Sequence, residues 1–121
     1  VDEGYENVPL PKDAKELINI ANECGPYICV LKIHSDILSS DEPILSRLRE
    51  LRKVADKHNF MIMEDRKFGD IGNTFRNQLT GSFCYSEWCD LVTVYPYVGN
   101  SGFEILKEMN LKLIFMIMEF N

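Results

Sequence analysis

The feature that most constrains the fold is a regular alternation between segments of helical period and short apolar runs rich in strand-forming residues. The predicted strands are 27–33, 60–63 continuing into 64–67, 90–95 and 111–118. The predicted helices are 12–24, 43–57, 74–79 and 103–109, with further helix between 81 and 88. Because the strands are apolar on both faces, this alternation predicts an α/β protein whose parallel sheet is covered by helices.

Turn and capping residues set the limits of these helices. Gly25-Pro26 is predicted to end the first helix, and residues 98–102 are predicted to form a turn before the last one. The predicted N-caps are Ser40 or Asp41 for the second helix, with Pro43 in its first turn, and Asn73 or Thr74 for the third.

Two architectures accommodate such a sheet in a chain of 121 residues, which is the length of one domain. A small doubly wound sheet suits this length. A (β/α)8 barrel needs about 250 residues to close, so the chain would form part of one. Residues 1–11 show no period and are predicted to be an irregular lead-in to a single domain over 1–121.

The charge balance argues against nucleic-acid binding. The chain has 13 Lys and Arg against 19 Asp and Glu, a formal net charge of −6, so no basic stripe is available to neutralise phosphates. The longest apolar run, 113–118, is far shorter than a bilayer span, and the N-terminal segment is acidic. We therefore expect no membrane anchor and no signal peptide.

The four cysteines predict neither a zinc site nor a disulfide framework. They form no Cys-x2-Cys pair, and neither histidine lies at zinc-ligand spacing from them. Cys24 and Cys29 stand where small buried hydrophobic residues are common. Reduced structural thiols, and hence a cytoplasmic location, are predicted.

Charged side chains follow the second predicted strand. Because side chains alternate across a strand, Asp65 and Lys67 are predicted to point to one face, and Glu64 and Arg66 to the other. The same rule places Lys32, near the end of the first strand, on the same face of that strand as Ile28 and Val30.

Lys32 and His34 give the first strand an ionisable pair at its carboxyl end, the edge where α/β enzymes place their chemistry. Neighbouring parallel strands end at the same edge, so Lys32, Asp65 and Lys67 are predicted to form an alternating charge array there. Opposite charges about 4 Å apart attract by about 4 kcal/mol at an effective dielectric near 20, which keeps both lysines charged.

The segment after this cluster adds a second carboxylate and a hydroxyl. Asp70 and Thr74 offer an acceptor and a donor, and Gly69 and Gly72 allow a close approach of the backbone to a ligand. A helix lead-in with a capping Asn or Thr explains the same residues, and the two interpretations are compatible.

Three segments resemble one known family. Residues 64–74, Glu-Asp-Arg-Lys-Phe-Gly-Asp-Ile-Gly-Asn-Thr, resemble the signature of the orotidine 5′-phosphate decarboxylase family, whose members make UMP. Residues 30–38 resemble the family's Lys-x-His-x-Asp segment, and residues 88–94 resemble the strand that follows. The motifs occur in the order of the family, and the resemblance covers residues 12–119.

The resemblance implies a (β/α)8 (TIM) barrel that acts in pyrimidine biosynthesis as a homodimer, with no metal and no organic cofactor. This chain would then be a partial barrel of about four parallel strands with covering helices. Its substrate would be the nucleotide orotidine 5′-phosphate (OMP), and its product UMP. Lys32, Asp65 and Lys67 would lie together in one subunit's site.

Further roles are implied residue by residue. His34 would lie beside the nucleotide, and Asp70 would cross the dimer interface to complete a Lys-Asp-Lys-Asp array in the partner's site. Thr74 would contact the partner's ligand. Asp65 and Asp70 would crowd the substrate carboxylate and favour its loss, and Lys67 would protonate the carbanion left at C6 of the pyrimidine.

The chain also departs from the family pattern. Residues 6–10 show neither a strand-like run nor the Asp with which the family holds the ribose, and no counterpart of the sixth to eighth strands, with the phosphate-binding loop and its Arg, precedes Asn121. Tyr95 stands where relatives often have His and is predicted to be a packed aromatic residue, and Asn100 resembles a one-residue insertion.

The resemblance and these departures together leave two functions open. The first is decarboxylation of OMP, with the 121 residues expected to be inactive alone because the phosphate-binding half is missing. The alternative is a catalytically dead half-barrel that binds a nucleotide or a full-length subunit through the Asp70–Thr74 surface. A flavodoxin-like phosphate binder ranks lower, because no glycine-rich loop follows the first strand.

Overall fold

A computed structural model of the protein describes the backbone of residues 12–115 and the side chains of residues 12–112. Within that range, one parallel sheet has the strand order β1-β2-β3-β4. The strands are β1 (Val30–Ile33), β2 (Met61–Phe68), β3 (Leu91–Val94) and β4 (Lys112–Phe115). The order lacks the reversal of a doubly wound sheet and is that of consecutive strands in a (β/α)8 barrel. The predicted α/β class and partial barrel are confirmed.

Helices connect the strands and cover one face of the sheet. Between residues 12 and 115 they are α1 (Ala14–Cys24), α2 (Ile44–His58), α3 (Gly72–Thr80), α4 (Tyr85–Trp88) and α5 (Gly99–Glu108). α1 packs on α2, and α3 packs on α5. In this part of the chain, every helix is too short or too polar to cross a membrane.

The core lies between the helices and the sheet. Trp88, Phe68 and Phe75 are among its largest fully buried side chains. The ring centroid of Phe68 is 5.5 Å from that of Phe75 and 5.4 Å from that of Tyr85. Because Phe68 is the last residue of β2, this aromatic packing fixes the carboxyl end of β2 against α3 and α4.

The amino ends of β2 and β3 are held by one half-buried carboxylate, that of Asp90. Asp90 accepts hydrogen bonds from the backbone N–H of Ile62, at 2.9 Å, and from the Arg52 guanidinium, at 2.7 Å. Arg52 belongs to α2, so a single side chain ties a helix to both strands. The register of β2 and β3 is therefore set at this end of the pair.

Several predicted boundaries are wrong. Residues 27–29 precede β1, because Gly25–Tyr27 form a 3-10 turn with Pro26 in its first positions. Val98 ends a 3-10 turn over Pro96–Val98 and Gly99 begins α5, so the predicted turn over 98–102 is helical throughout, and Asn100 lies within α5.

The predicted N-caps also differ from the observed ones. Pro43 is the N-cap of α2, and Asp41 uses its carboxylate in a 2.8 Å ion pair with Arg47 instead of capping. Ile71 is the N-cap of α3, so neither Asn73 nor Thr74 caps that helix. Proline and the extended backbone of Ile71 set these starts, and no side-chain acceptor is used at either.

The prediction that Cys24 and Cys29 are buried is wrong, since both are exposed. Cys24 ends α1, and Cys29 lies before the first residue of β1, so neither side chain reaches the core. Cys89 is buried and Cys84 half-buried, and all four are free thiols. Burial raises the pKa of the Cys89 thiol, which keeps it protonated and unreactive.

Some predictions lie outside the described residues. These are the irregular lead-in over 1–11, the absence of a ribose-binding Asp in 6–10, and the chain from 116 to 121. The fourth predicted strand is therefore described only over its first part, from Lys112 to Phe115.

Candidate active site

Four predicted site residues meet at the carboxyl ends of β1 and β2, with Asp65 at the centre. Its Oδ2 atom is 2.9 Å from Lys67 Nζ and 3.4 Å from Lys32 Nζ. The same oxygen is 3.8 Å from His34 Nε2. Lys32 and Met63 are Cα partners in the β1–β2 ladder, which places Lys32 beside the strand that bears Asp65. The predicted alternating array of Lys32, Asp65 and Lys67 is thus present in the structure.

The carboxylate is enclosed while the cations around it are open to solvent. The side chain of Asp65 is 10% exposed, against 33% for Lys67 and 56% for Lys32. Burial opposes ionisation of Asp65, but the hydrogen bonds from Lys67 and Thr93 and the charges of both lysines outweigh it. The pKa of the Asp65 carboxyl therefore lies below its usual range, and the group is a carboxylate at neutral pH.

Thr93 is the site residue that sequence reasoning missed. Its hydroxyl donates to Asp65 Oδ1 at 2.9 Å and accepts from the backbone N–H of Lys67 at 2.9 Å. Thr93 is 3% exposed and lies in β3 between Val92 and Val94, both fully buried. One polar residue in an otherwise apolar strand, beside a strand with a charged end, was the available signal.

Lys67 reaches Asp65 through an unusual backbone conformation. Its φ is 55°, in the left-handed region, which costs a residue other than glycine about 1–3 kcal/mol. The β2–β3 register is irregular at the same place: Glu64 pairs with Val92 and Phe68 with Val94. Simple alternation gave the correct face for Lys67, but a bulge in β2 carries its side chain there.

The other face of β2 bears a buried carboxylate, as the alternation predicted for Glu64. Glu64 is fully buried, and each of its carboxylate oxygens is 3.2 Å from the backbone N–H of Ser35. Burial raises the pKa of Glu64 to about 7, because the Ser35 N–H only partly offsets the loss of water. Glu64 therefore holds the turn that follows His34 from beneath the charged cluster.

Asp70 and Thr74 lie near the cluster in sequence but outside its contacts. Asp70 is exposed between β2 and α3, and its Oδ1 accepts from the Ile71 N–H at 2.9 Å. Thr74 is exposed in the first turn of α3. Among residues 12–112, neither side chain forms an ion pair or hydrogen bond with Asp65 or Lys67. A role for them across a subunit interface stays a prediction.

Two tyrosines lie just after β3 in the chain, at the same edge of the sheet. The rings of Tyr95 and Tyr97 are 5.7 Å apart, and Tyr95 is half-buried while Tyr97 is 73% exposed. A Cβ added at Gly69 would lie 3.5 Å from the Tyr95 ring. Tyr95 is a packed aromatic residue, as predicted.

The cluster combines one ionised carboxylate with two ammonium groups and an imidazole. Such a group attracts an anionic ligand and offers a proton donor, Lys67, next to a fixed negative charge. Within the described part of the chain, no three His, Cys, Asp or Glu side chains are grouped so that they could hold a metal ion.

Comparison with known proteins connects this geometry to one family. The family model described as orotidine 5'-phosphate decarboxylase / HUMPS matches residues 11–121. The chain is 43% identical over 101 residues to an orotidine 5'-phosphate decarboxylase of Rhizomucor pusillus, and this match covers 82% of the chain and 37% of the relative. It is 41% identical over 102 residues to a uridine 5'-monophosphate synthase of Bos taurus, which covers 84% of the chain and 21% of that protein.

Solved structures show the same fold. A structure from Toxoplasma gondii, assigned as an orotidine-monophosphate-decarboxylase, superposes with a TM-score of 0.64 at 22% identity, covering 97% of this chain and 41% of that one. The chain thus spans well under half the length of the relatives it resembles. The match over nearly all of its residues establishes that the chain belongs to the orotidine 5'-phosphate decarboxylase / HUMPS family.

Proposed function

We propose that the residues of this chain supply the proton donor and the central carboxylate for decarboxylation of OMP to UMP in pyrimidine biosynthesis. The observation that carries the proposal is the 2.9 Å contact between Lys67 Nζ and the ionised Asp65, with Lys32 on the same oxygen. Family membership supplies the substrate class, and the geometry supplies residues able to act on it.

In the proposed reaction, the bond between C6 of the pyrimidine and its carboxylate breaks, and carbon dioxide leaves. The bonding electron pair stays at C6, and the Lys67 ammonium gives it a proton, leaving Lys67 neutral until solvent reprotonates it. No oxidant or reductant is required. Asp65, held ionised by its neighbours, repels the substrate carboxylate but not the neutral carbon dioxide, so its charge favours the transition state over the bound substrate.

The remaining predicted site residues have binding roles in this proposal. Lys32 and His34 bind the nucleotide from the end of β1, where both lie within 4 Å of Asp65. Asp70 and Thr74 act in the site of a second subunit of a homodimer. The exposure of both side chains at the carboxyl edge of the sheet is compatible with that role. A cytoplasmic location and a single partial domain over residues 1–121 belong to the same proposal.

We further propose that the 121 residues do not decarboxylate OMP by themselves. In the sheet of β1 to β4, Lys32 is 56% exposed, so water reaches the charged cluster and screens it. A site that excludes water makes such charges far more effective. Closure of the barrel by further strands would provide that exclusion.

The test compares the chain with a chimera. In the chimera, residues 12–115 replace the corresponding segment of the Rhizomucor pusillus decarboxylase. Release of labelled carbon dioxide from OMP is expected from the chimera and not from the 121 residues. A folded chimera without activity contradicts the catalytic proposal, and turnover by the chain alone contradicts the second proposal.

A second candidate function is a catalytically dead half-barrel that binds a nucleotide or a full-length subunit through the Asp70–Thr74 surface. The exposure of Asp70 and Thr74, together with an Ile71 side chain that is 61% exposed between them, favours it. Sedimentation of the chain with and without UMP, and with the fungal decarboxylase, tests this function. A monomer that binds neither contradicts it.

A further inference from the structure

Thr93 lies between Asp65 and Lys67, the two residues to which the proposed chemistry is assigned. A hydroxyl has one proton to donate and lone pairs to accept. The Lys67 N–H can only donate and the Asp65 carboxylate, when ionised, can only accept, so both directions are fixed. The Thr93 proton points at Asp65 Oδ1, and Oδ2 is left for the ammonium groups of Lys67 and Lys32.

The irregular pairing of β2 with β3 explains why a hydroxyl is needed at this position. Between the pairs Glu64–Val92 and Phe68–Val94, three residues of β2 stand opposite Thr93 alone. The Lys67 N–H therefore has no carbonyl of a regular ladder opposite it, and the Thr93 side chain accepts from it instead. Without that acceptor, a backbone donor beside a half-buried cluster is left unpaired.

We infer that Thr93 is a positioning residue that holds the left-handed backbone of Lys67 and the carboxylate of Asp65 in one arrangement. The backbone strain at Lys67 persists because its surroundings stabilise it, and the Thr93 hydroxyl is the group that contacts it directly. The consequence for catalysis rests on the proposed function. The positioning itself does not, so the two are tested separately.

Valine and serine at position 93 give a matched pair. Thr93→Val keeps the shape of the side chain and removes both hydrogen bonds, whereas Thr93→Ser keeps the hydroxyl. A hydrogen bond to the charged form of a carboxyl lowers its pKa, so loss of the bond raises it. Thr80→Val is the control, because the Thr80 hydroxyl donates to the Arg76 carbonyl on the exposed side of α3.

The readout is the titration of the Asp65 side-chain carbonyl carbon, followed by NMR in the labelled protein. In Thr93→Val, we expect its midpoint to rise by about half a unit or more, while Thr93→Ser and Thr80→Val follow the wild type. Equal midpoints in the wild type and Thr93→Val overturn the inference, as does a wild-type Asp65 that titrates at its ordinary value.

Amide exchange of Lys67 in the wild type is a second measurement that needs no variant. Exchange at the rate of an unprotected amide overturns the inference even if Thr93→Val fails to fold.

Activity in the chimera gives the separate test of the catalytic consequence. Thr93→Val is expected to lower kcat about tenfold or more with little change in KM, and Thr93→Ser to retain most of the turnover. If the unsubstituted chimera is inactive, the proposed function fails while the Asp65 titration still decides the positioning role. Unchanged kcat in Thr93→Val, with a shifted Asp65 titration, overturns the link from positioning to catalysis.

Discussion

Asp65 accepts polar contacts from four neighbours that come from three different segments of the chain. β1 contributes Lys32, β2 contributes Lys67, and β3 contributes Thr93, with His34 just after β1. The ionisation of a carboxylate with only a tenth of its side chain exposed depends on these contacts. A substitution here therefore changes charge as well as shape.

Lys67→Ala in the chimera is expected to lower the rate of carbon dioxide release about 100-fold or more. A positioned general acid contributes roughly 100- to 10,000-fold to a proton-transfer step, and Lys67 is the proposed donor. Turnover with OMP measures the effect, and circular dichroism confirms the fold. Lys53→Ala, at an exposed position of α2, is the control and should retain full activity. Retained turnover in Lys67→Ala removes Lys67 from the donor role.

Glu64→Gln tests the buried carboxyl on the opposite face of β2. The pKa of Glu64 is raised from 4.5 to about 7 by burial, so the folded chain keeps the proton while the unfolded chain releases it. The free energy of unfolding therefore falls as the pH rises from about 4.5 to 7, by up to about 3 kcal/mol, and the loss is complete above 7. The glutamine side chain does not titrate, so Glu64→Gln removes this pH dependence of the free energy of unfolding.

The measurement is urea unfolding of both proteins at pH 5 and pH 8. The quantity compared is the free energy of unfolding of Glu64→Gln minus that of the wild type. We expect this difference to be larger at pH 8 than at pH 5. The acidic groups that face Glu64 are Asp36, Asp65, Tyr85 and Cys89. Burial raises the pKa of Tyr85 and of Cys89, so both are neutral at pH 5 and pH 8, and the carboxyl groups of Asp36 and Asp65 are present in both proteins. Glu104→Gln, at an exposed position of α5, is the control. A stability difference independent of pH contradicts the prediction.

At the scale of elements, alternation along β2 predicted which face each side chain occupies, but not the backbone conformation of the strand. It gave the correct faces of Glu64, Asp65 and Lys67, although the register of β2 against β3 is irregular between Glu64 and Phe68. It could not reveal that Lys67 adopts a left-handed backbone, since that conformation depends on Thr93, which is 26 residues away in the chain. Contacts between strands are not encoded in the period of either strand.

Helix starts were predicted less well than helix faces. The predicted helix over 43–57 was identified from apolar residues at helical spacing, and Leu48 and Leu51 among them are buried, because burial of a helix face is a property of its whole length. Its first residue instead depends on one local competition, in which Asp41 pairs with Arg47 and leaves Pro43 as the N-cap. Such a competition is decided by side chains six residues apart, which spacing rules do not weigh.

The packing of α5 against Val98 and against Phe75 of α3 depends on the absence of a side chain at Gly102. A Cβ at this position would lie 2.5 Å from Val98 Cβ and 3.3 Å from the Phe75 ring. Gly102→Ala is therefore expected to lower the free energy of unfolding by about 1–3 kcal/mol, although alanine is the better helix former. Thermal and urea unfolding measure the change. Ser101→Ala, exposed on the same helix, should be neutral or slightly stabilising, and equal effects at both positions contradict the packing argument.

At the scale of the whole molecule, a sheet of sequential parallel strands brings the ends of β1 and β2 to one edge but leaves part of the charged cluster open. Lys32 and Lys67 are 56% and 33% exposed at that edge. The parallel topology was predictable from the alternation of helices and strands, because sequential connections of this kind are right-handed and place neighbours side by side. The enclosure of the site depends on what covers this edge, and the family resemblance predicts a second subunit there.

A shared site makes a prediction that no single variant can test. If Asp70 acts in the partner's site, a Lys67→Ala subunit still supplies a working Asp70, and an Asp70→Asn subunit still supplies a working Lys67. Each variant chimera alone should be inactive, because every site then lacks one of the two groups. In mixed dimers, one of the two sites is intact. About half of the dimers in an equal mixture are mixed after subunit exchange, so the mixture should recover up to about a quarter of the wild-type activity per subunit.

The measurement is carbon dioxide release as a function of the mixing ratio. The control is a mixture of Lys67→Ala and Asp65→Asn, which cannot be restored because both residues belong to the same site. No recovery in an exchanging mixture would show that Asp70 serves its own subunit.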